Sequence, residues 1–420
     1  MRDITAFARP NSAMRTILAA SVFTLASTWA MAGERLTEAV AVQTALSRES
    51  LRDAGEGAVD ASRAEADEAG LWPNPTFEYE RDRTGGQGGA TVQNTYRLSQ
   101  PVDISGRRGL RQDAAGRRLD ATVEETQQRR GEAAAEARRA FYTLVLRMQQ
   151  REAAAAWSKK LVEAEGVLNK LVRGREVSGY DAKRLTRERI AAEVKVRAAS
   201  AEMNAAWERL RAFLTLPVGT GMTDVEGALP PPPSLGLEDY LSRLDQRHDL
   251  LAIRARASAS EIEQRAADRG WIPELTVGAG LKQVTQAERE DQGVLLSVSA
   301  PLPLFDRGQV ASRKAAAQTR ATMGDFRLAR DKAEGEIRGL WRQSTELREA
   351  ARHFRESSVA PSRELSKIAE GAYRAGEMGI LELLDAYKSQ LEAETTALDL
   401  EFNAREAHIA LTLAAGELPQ

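Results

Sequence analysis

His248, His353 and His408 are the side chains best suited to hold a metal ion or relay a proton, and each stands alone on a charged stretch with helical periodicity. None is joined by another histidine, and the chain has no cysteine, so neither an imidazole pair nor a thiolate site is expected. HExxH, GxSxG and Walker patterns are absent, and "TGGQGG" at residues 84–89 lacks the lysine and following helix of a phosphate loop. Arginine pairs at 107–108, 117–118, 129–130 and 138–139 offer a basic surface, but Asp113, Asp120, Glu124 and Glu132 intervene. That alternation describes a solvated helix face, so no nucleic-acid partner is expected. Arg107, Arg118 and Arg129 are spaced by 11, which keeps them on one stripe of a nearly straight helix. The chemistry points away from catalysis, cofactors and resident metals, and the function must come from shape.

Composition agrees. Of 420 residues, 29% are charged and only 5% aromatic, with 59 basic against 61 acidic residues, so no net field selects a partner. Residues 1–32 carry Arg2, Arg9 and Arg15, an apolar stretch "TILAASVFTLASTW" and a closing "AMA", the pattern of a secretory signal cleaved after Ala32. The apolar stretch falls short of the ~20 residues needed to span a bilayer. No later run is long and apolar enough, so entry into a membrane would require strands closed into a barrel.

The elements repeat. "PNPTF" at 73–77 faces "PELTV" at 273–277, and "SQPVDISGRRG" from Ser99 faces "SAPLPLFDRGQ" from Ser299, each 200 positions later. "RGREVSGYD" from Arg173 likewise matches "RAGEMGILE" from Arg374. The first copy, 33–228, predicts a helix over 35–70, strands 75–83 and 90–99, a long helix 107–173 and a return helix 179–214. A proline-rich linker, 229–236, leads to the second copy, 237–420. It predicts a helix to 269, strands 274–284 and 293–300, a long helix 307–374 and a return helix 380–415. The strands alternate, with Phe77, Tyr79, Val92, Tyr96 and Leu98 set against polar neighbours. The rods do not: Trp157, Leu161, Ala164, Leu168 and Leu171 follow the 4, 3, 4, 3 spacing of a coiled-coil seam, as Leu384, Tyr387 and Leu391 do in the second copy. A proline-free rod over 107–173 extends roughly 100 Å. Four strands cannot close a barrel, so copies of the chain must supply the rest; two give eight strands and three give twelve.

The order of leader, duplicated helix, strand pair, rod and return helix, with "QPVDISGRRG" and "APLPLFDRG" at the corners and "GILELLDAY" after the second tip, resembles the TolC-type outer-membrane efflux family. "PNP" and "QPVDISGRR" are most similar to outer-membrane components of cobalt-zinc-cadmium, heavy-metal RND efflux systems. The resemblance implies a mainly α protein with a small β part: a homotrimer with a 12-stranded outer-membrane β-barrel continued by a periplasmic α-helical coiled-coil barrel. It implies a passive duct that docks a periplasmic adaptor (membrane fusion) protein and an inner-membrane RND pump, and contacts outer-membrane lipid. The expected cargo is divalent heavy-metal cations. A multidrug or other small-molecule duct, and a periplasmic coiled-coil adaptor, are the alternatives. The family's acidic tip pattern falls on Glu382 and Asp385, implying a periplasmic aperture ringed by carboxylates; in the bland reading these acids only favour a helix's positive end. Asp181 and Tyr373 match a contact that holds the closed end, while Met378 stands where a locking arginine is expected. Pro101, Gly106, Pro301 and Pro303 mark the barrel-to-tunnel corners.

Overall fold

The computed structural model describes residues 35–86, 89–173, 178–218, 221–222, 224–286 and 289–417. The expected leader, its cleavage point at Ala32 and the middle of the first tip, 174–177, lie outside them.

In the first repeat, α1 (Glu38–Leu46) and α2 (Glu49–Gly70) lead to β1 (Thr76–Gly86), β2 (Gly89–Val102), α3 (Arg107–Arg173) and α4 (Gly179–Phe213). The second has α5 (Leu237–Leu241), α6 (His248–Asp268), β3 (Leu275–Gln286), β4 (Arg289–Ser299), α7 (Gln309–Phe354), α8 (Ala360–Ala375) and α9 (Ile380–Ala414). The opening helix expected over 35–70 is divided, because the backbone of Arg48 leaves the helical region (φ −59°, ψ 127°) and Leu36 lies outside the helix, bridged to Val225. The expected helix from 237 is likewise interrupted, by a 3₁₀ turn at 244–246 and the extended Arg247. One wide π turn, Arg355–Val359, joins α7 to α8. Pro361 follows two residues later without an amide to donate, and the wider turn accommodates that missing bond.

β1, β2, β3 and β4 form one antiparallel sheet in that order. Pairing of β2 with β3 runs from Thr91↔Gln286 through Pro101↔Thr276 to Val102↔Leu275. The strand therefore does not end at Ser99. Pro101 is tolerated because β1 stops opposite Ser99, and beyond it β2 has a partner on one side alone. Below the sheet, the rods pack through small and aliphatic seams. Phe141, Leu144, Leu210 and Leu229 are fully buried at the waist, and Leu161, Leu168, Leu185 and Leu383 near the tips. At ~2 kcal/mol for each large aliphatic side chain, these clusters hold together rods whose remaining surface is charged.

Candidate functional site

The register separates the sheet into two unlike faces. Phe77, Tyr79, Tyr96, Leu98, Val277, Leu281, Val294, Leu296 and Val298 lie on one face and are exposed. Glu78, Glu80, Asp82, Arg97 and Lys282 lie on the other, where Arg97 pairs with Glu78 at 2.9 Å. A sheet apolar on one side and charged on the other suits lipid outside and water inside. Tyr79 and Tyr96 pack with ring centroids 5.0 Å apart on the apolar side. At Gly280 the neighbouring strand is so close that a Cβ would stand 2.2 Å from the Tyr96 carbonyl oxygen. Gly280→Ala is therefore expected to cost roughly 2 kcal/mol or more through forced separation of β2 and β3. Reduced mobility shift between heated and unheated protein on SDS gels would report it, and an unchanged shift would exclude it.

Each corner between strand and rod is built by an aspartate and a left-handed glycine. Asp103 accepts the Ser105 amide at 2.8 Å, the Ser105 hydroxyl at 2.6 Å and the Arg108 amide at 2.7 Å, and Gly106 turns the chain at φ 67°. In the second corner Asp306 accepts the Gly308 amide at 2.9 Å, and Gly308 turns at φ 78° against the backbone of Gly270. Pro301 and Pro303 precede that turn outside any strand. Gly308 was not singled out from the sequence, because its position is shifted by two relative to Gly106 when the prolines are aligned.

At the second tip, Glu382 and Asp385 are exposed on the first two turns of α9, while Ile380, Leu383 and Tyr387 are buried on its opposite stripe. Glu382 also accepts the Gly379 amide at 2.9 Å, so it caps α9 as well as presenting charge. Asp181 accepts the Ser178 hydroxyl at 2.8 Å, and Ser178 in turn caps α4. The Tyr373 hydroxyl is buried and has no hydrogen-bond partner among the described residues. Burial, and then the charge of Asp181, push its ionisation upward, and no hydrogen bond joins the two residues. Met378 packs half-buried against this tip cluster.

Above the tips, sequence reasoning missed a polar strap across α3, α8 and α9. Lys160 reaches Glu370 at 2.9 Å and Ser366 and Gln390 at 2.8 Å, and lies 5.0 Å from the centroid of the Tyr387 ring. Arg355, opening the π turn, grips Glu401 through two 2.8 Å bonds and also binds Glu394, which Arg363 shares at 2.7 Å. Lys160, Arg355, Arg363, Tyr387, Gln390 and Glu394 border a cleft of about 480 Å³ with Trp157. The arginine pairs of α3 serve similar purposes: Arg118 binds Glu263 of α6, and Arg138 meets Glu38 at 2.9 Å. His248 meets Glu124 at 2.6 Å, His353 is exposed, and burial followed by the charge of Arg405 pushes His408 down. No group of acidic, histidine or cysteine side chains among the described residues is arranged to hold a metal ion.

Residues 241–417 match the family model described as outer membrane efflux protein. The chain is 23% identical over 309 residues to the cobalt-zinc-cadmium resistance protein CzcC of Cupriavidus metallidurans, covering 72% of each chain. It is 28% identical over 273 residues to the nickel-cobalt-cadmium resistance protein NccC of Alcaligenes xylosoxydans xylosoxydans, covering 62% of this chain and 61% of that one. The solved structure of CusC, described in terms of transmembrane channel formation, superposes with a TM-score of 0.74 at 16% identity over 90% of this chain and 92% of CusC. The second repeat is thus similar to the outer membrane efflux protein family, and nine-tenths of the chain shares the fold of a solved transmembrane channel.

Proposed function

We propose that three copies of the chain close into one duct, and that this duct is the outer-membrane exit of a tripartite pump carrying divalent heavy-metal cations. One observation carries the reading: open ends recur at three levels. The sheet runs β1 to β4 with both outer edges unpaired. Below it α2 packs on α3, α3 on α6 and α6 on α7; lower still, α4 packs on α3, α3 on α9 and α9 on α8. At each level the first member comes from repeat one and the last from repeat two. Ile190 and Val194 on α4, and Leu365 and Ile368 on α8, remain exposed on those end helices. A single rotation can therefore close all three levels at once, and unpaired strand edges in lipid require such closure.

Three copies give twelve strands, enough for a water-filled lumen, and bring Glu382 and Asp385 together as six carboxylates around the lower opening. Such a ring favours cations, which fits the metals named for CzcC and NccC. The adaptor and the inner-membrane RND pump would supply energy and selection. Fractionation should recover the protein as a detergent-requiring trimer in the outer membrane; recovery as a soluble monomer would overturn the duct. Deleting the gene should lower tolerance to zinc, cobalt, nickel, cadmium or copper and leave tolerance to organic toxicants intact. The opposite pattern would assign organic export instead.

A further inference from the structure

The apolar face of the sheet is shorter than the membrane it would cross. Its rows run from Val102 and Leu275, through Val277 with Val298, then Phe77, Leu98 and Leu296, to Tyr79, Tyr96, Leu281 and Val294. The next row outward is polar, with Arg81, Asn94, Gln283 and Gln292. Four rows span ~20 Å along a strand and, at the ~35–45° tilt of a barrel, roughly 15 Å of height, against the ~25 Å apolar band of an outer-membrane barrel. The polar row prevents extension on the outer side, so the missing height must lie below the strands.

There the second corner presents Phe305 at 93%, Leu302 at 76% and Leu304 at 66% exposure, held between Pro301, Pro303 and the Gly308 turn. Trp271, before β3, and Trp72, before β1, are exposed at the same junction, and Arg108 lies 4.1 Å above the Trp72 ring. Immediately beneath, Arg307, Arg313 and Lys314 are exposed at the start of the second rod and have no carboxylate partner among the described residues. Apolar side chains above, tryptophans at the boundary and unpaired cations below reproduce the layering of acyl chain, interface and phosphate in a phospholipid leaflet.

We propose that Leu302, Leu304 and Phe305 form an apolar collar immersed in the inner leaflet of the outer membrane, with Arg307, Arg313 and Lys314 against its phosphates. The membrane boundary then lies at the corner and not at the strand ends. Because the second corner carries the longer apolar knuckle, each protomer inserts chiefly through repeat two. This inference rests on the barrel reading above, and the test separates the two.

The chain has no cysteine, so single spin labels can be placed cleanly. Val294→Cys, Leu302→Cys, Phe305→Cys and Arg313→Cys would each be labelled in the full-length trimer. Each would be reconstituted in vesicles of phosphatidylethanolamine and phosphatidylglycerol, and relaxation by oxygen compared with relaxation by a water-soluble nickel complex. The collar predicts that the labels at 302 and 305 favour oxygen as Val294 does, with Arg313 shifted toward nickel. Oxygen preference at Val294 with nickel preference at 302 and 305 would place the collar in water and overturn it. Exclusion of both reagents at 302 and 305 would assign these residues to contact with a second copy, also overturning it. Nickel preference at Val294 would remove the barrel reading itself, and the collar with it.

Discussion

Glu382→Gln combined with Asp385→Asn is expected to abolish the cation preference of the open channel and to weaken block by divalent cations by roughly a hundredfold. A carboxylate ~7 Å from a divalent ion in water contributes about 1 kcal/mol, reduced by about half at a screening length of ~8 Å. Six around one aperture then total ~3 kcal/mol, which is the quoted factor. The choice of amides matters, because Glu382 accepts the Gly379 amide as the cap of α9. Glutamine retains an acceptor there, whereas alanine would also remove a cap worth ~0.5–2 kcal/mol and confuse loss of charge with fraying of the tip. Leu383 and Tyr387, buried on the other stripe of α9, are untouched by either change. Reversal potentials across a salt gradient in planar bilayers, with a titration of divalent block, measure the effect. Unchanged selectivity and block would reduce both acids to ordinary first-turn residues.

What could be read beforehand followed from periodicity. Leu161, Ala164 and Leu168 are buried as their coiled-coil spacing requires, and the alternation of β1 to β4 separates the faces as written. Features set by distant partners were not legible. The π turn at 355–359 has half its cause in local sequence, at Pro361, and half in the grip of Arg355 on Glu394 and Glu401, which lie 39 and 46 residues away. Gly308 escaped notice because the two corners turn at different distances from their prolines. The proposed acidic aperture would need three copies, so one chain shows where Glu382 and Asp385 stand and leaves their convergence to symmetry.

Arg405→Met is expected to destabilise the folded chain by about 3–5 kcal/mol. Arg405 is buried in the waist, and its guanidinium donates to the carbonyl oxygens of Leu229 at 2.9 Å, Ala228 at 2.9 Å and Pro230 at 2.6 Å. Its other side lies 4.3 Å from the centre of the Tyr142 ring, and the Tyr142 hydroxyl donates to Glu38. One side chain therefore ties the linker between the repeats to the first rod and to α1. Methionine fills much of the volume but leaves the carbonyls without their donors. Lysine keeps the charge, yet one ammonium cannot match the fork that meets three acceptors, so Arg405→Lys should fall between. Loss of the gel-stable trimer at lower temperature, with faster hydrogen exchange at Leu235, Gly236 and Leu237, would register both. If the methionine variant kept the wild-type transition, the strap would be incidental, and the linker would owe its place to Leu229 and to Gly227, where a Cβ would meet the Phe141 ring at 2.8 Å. The waist is the level at which both repeats, the linker and the carboxyl-terminal end of α9 meet, so loosening it would disturb the relative height of the two rods.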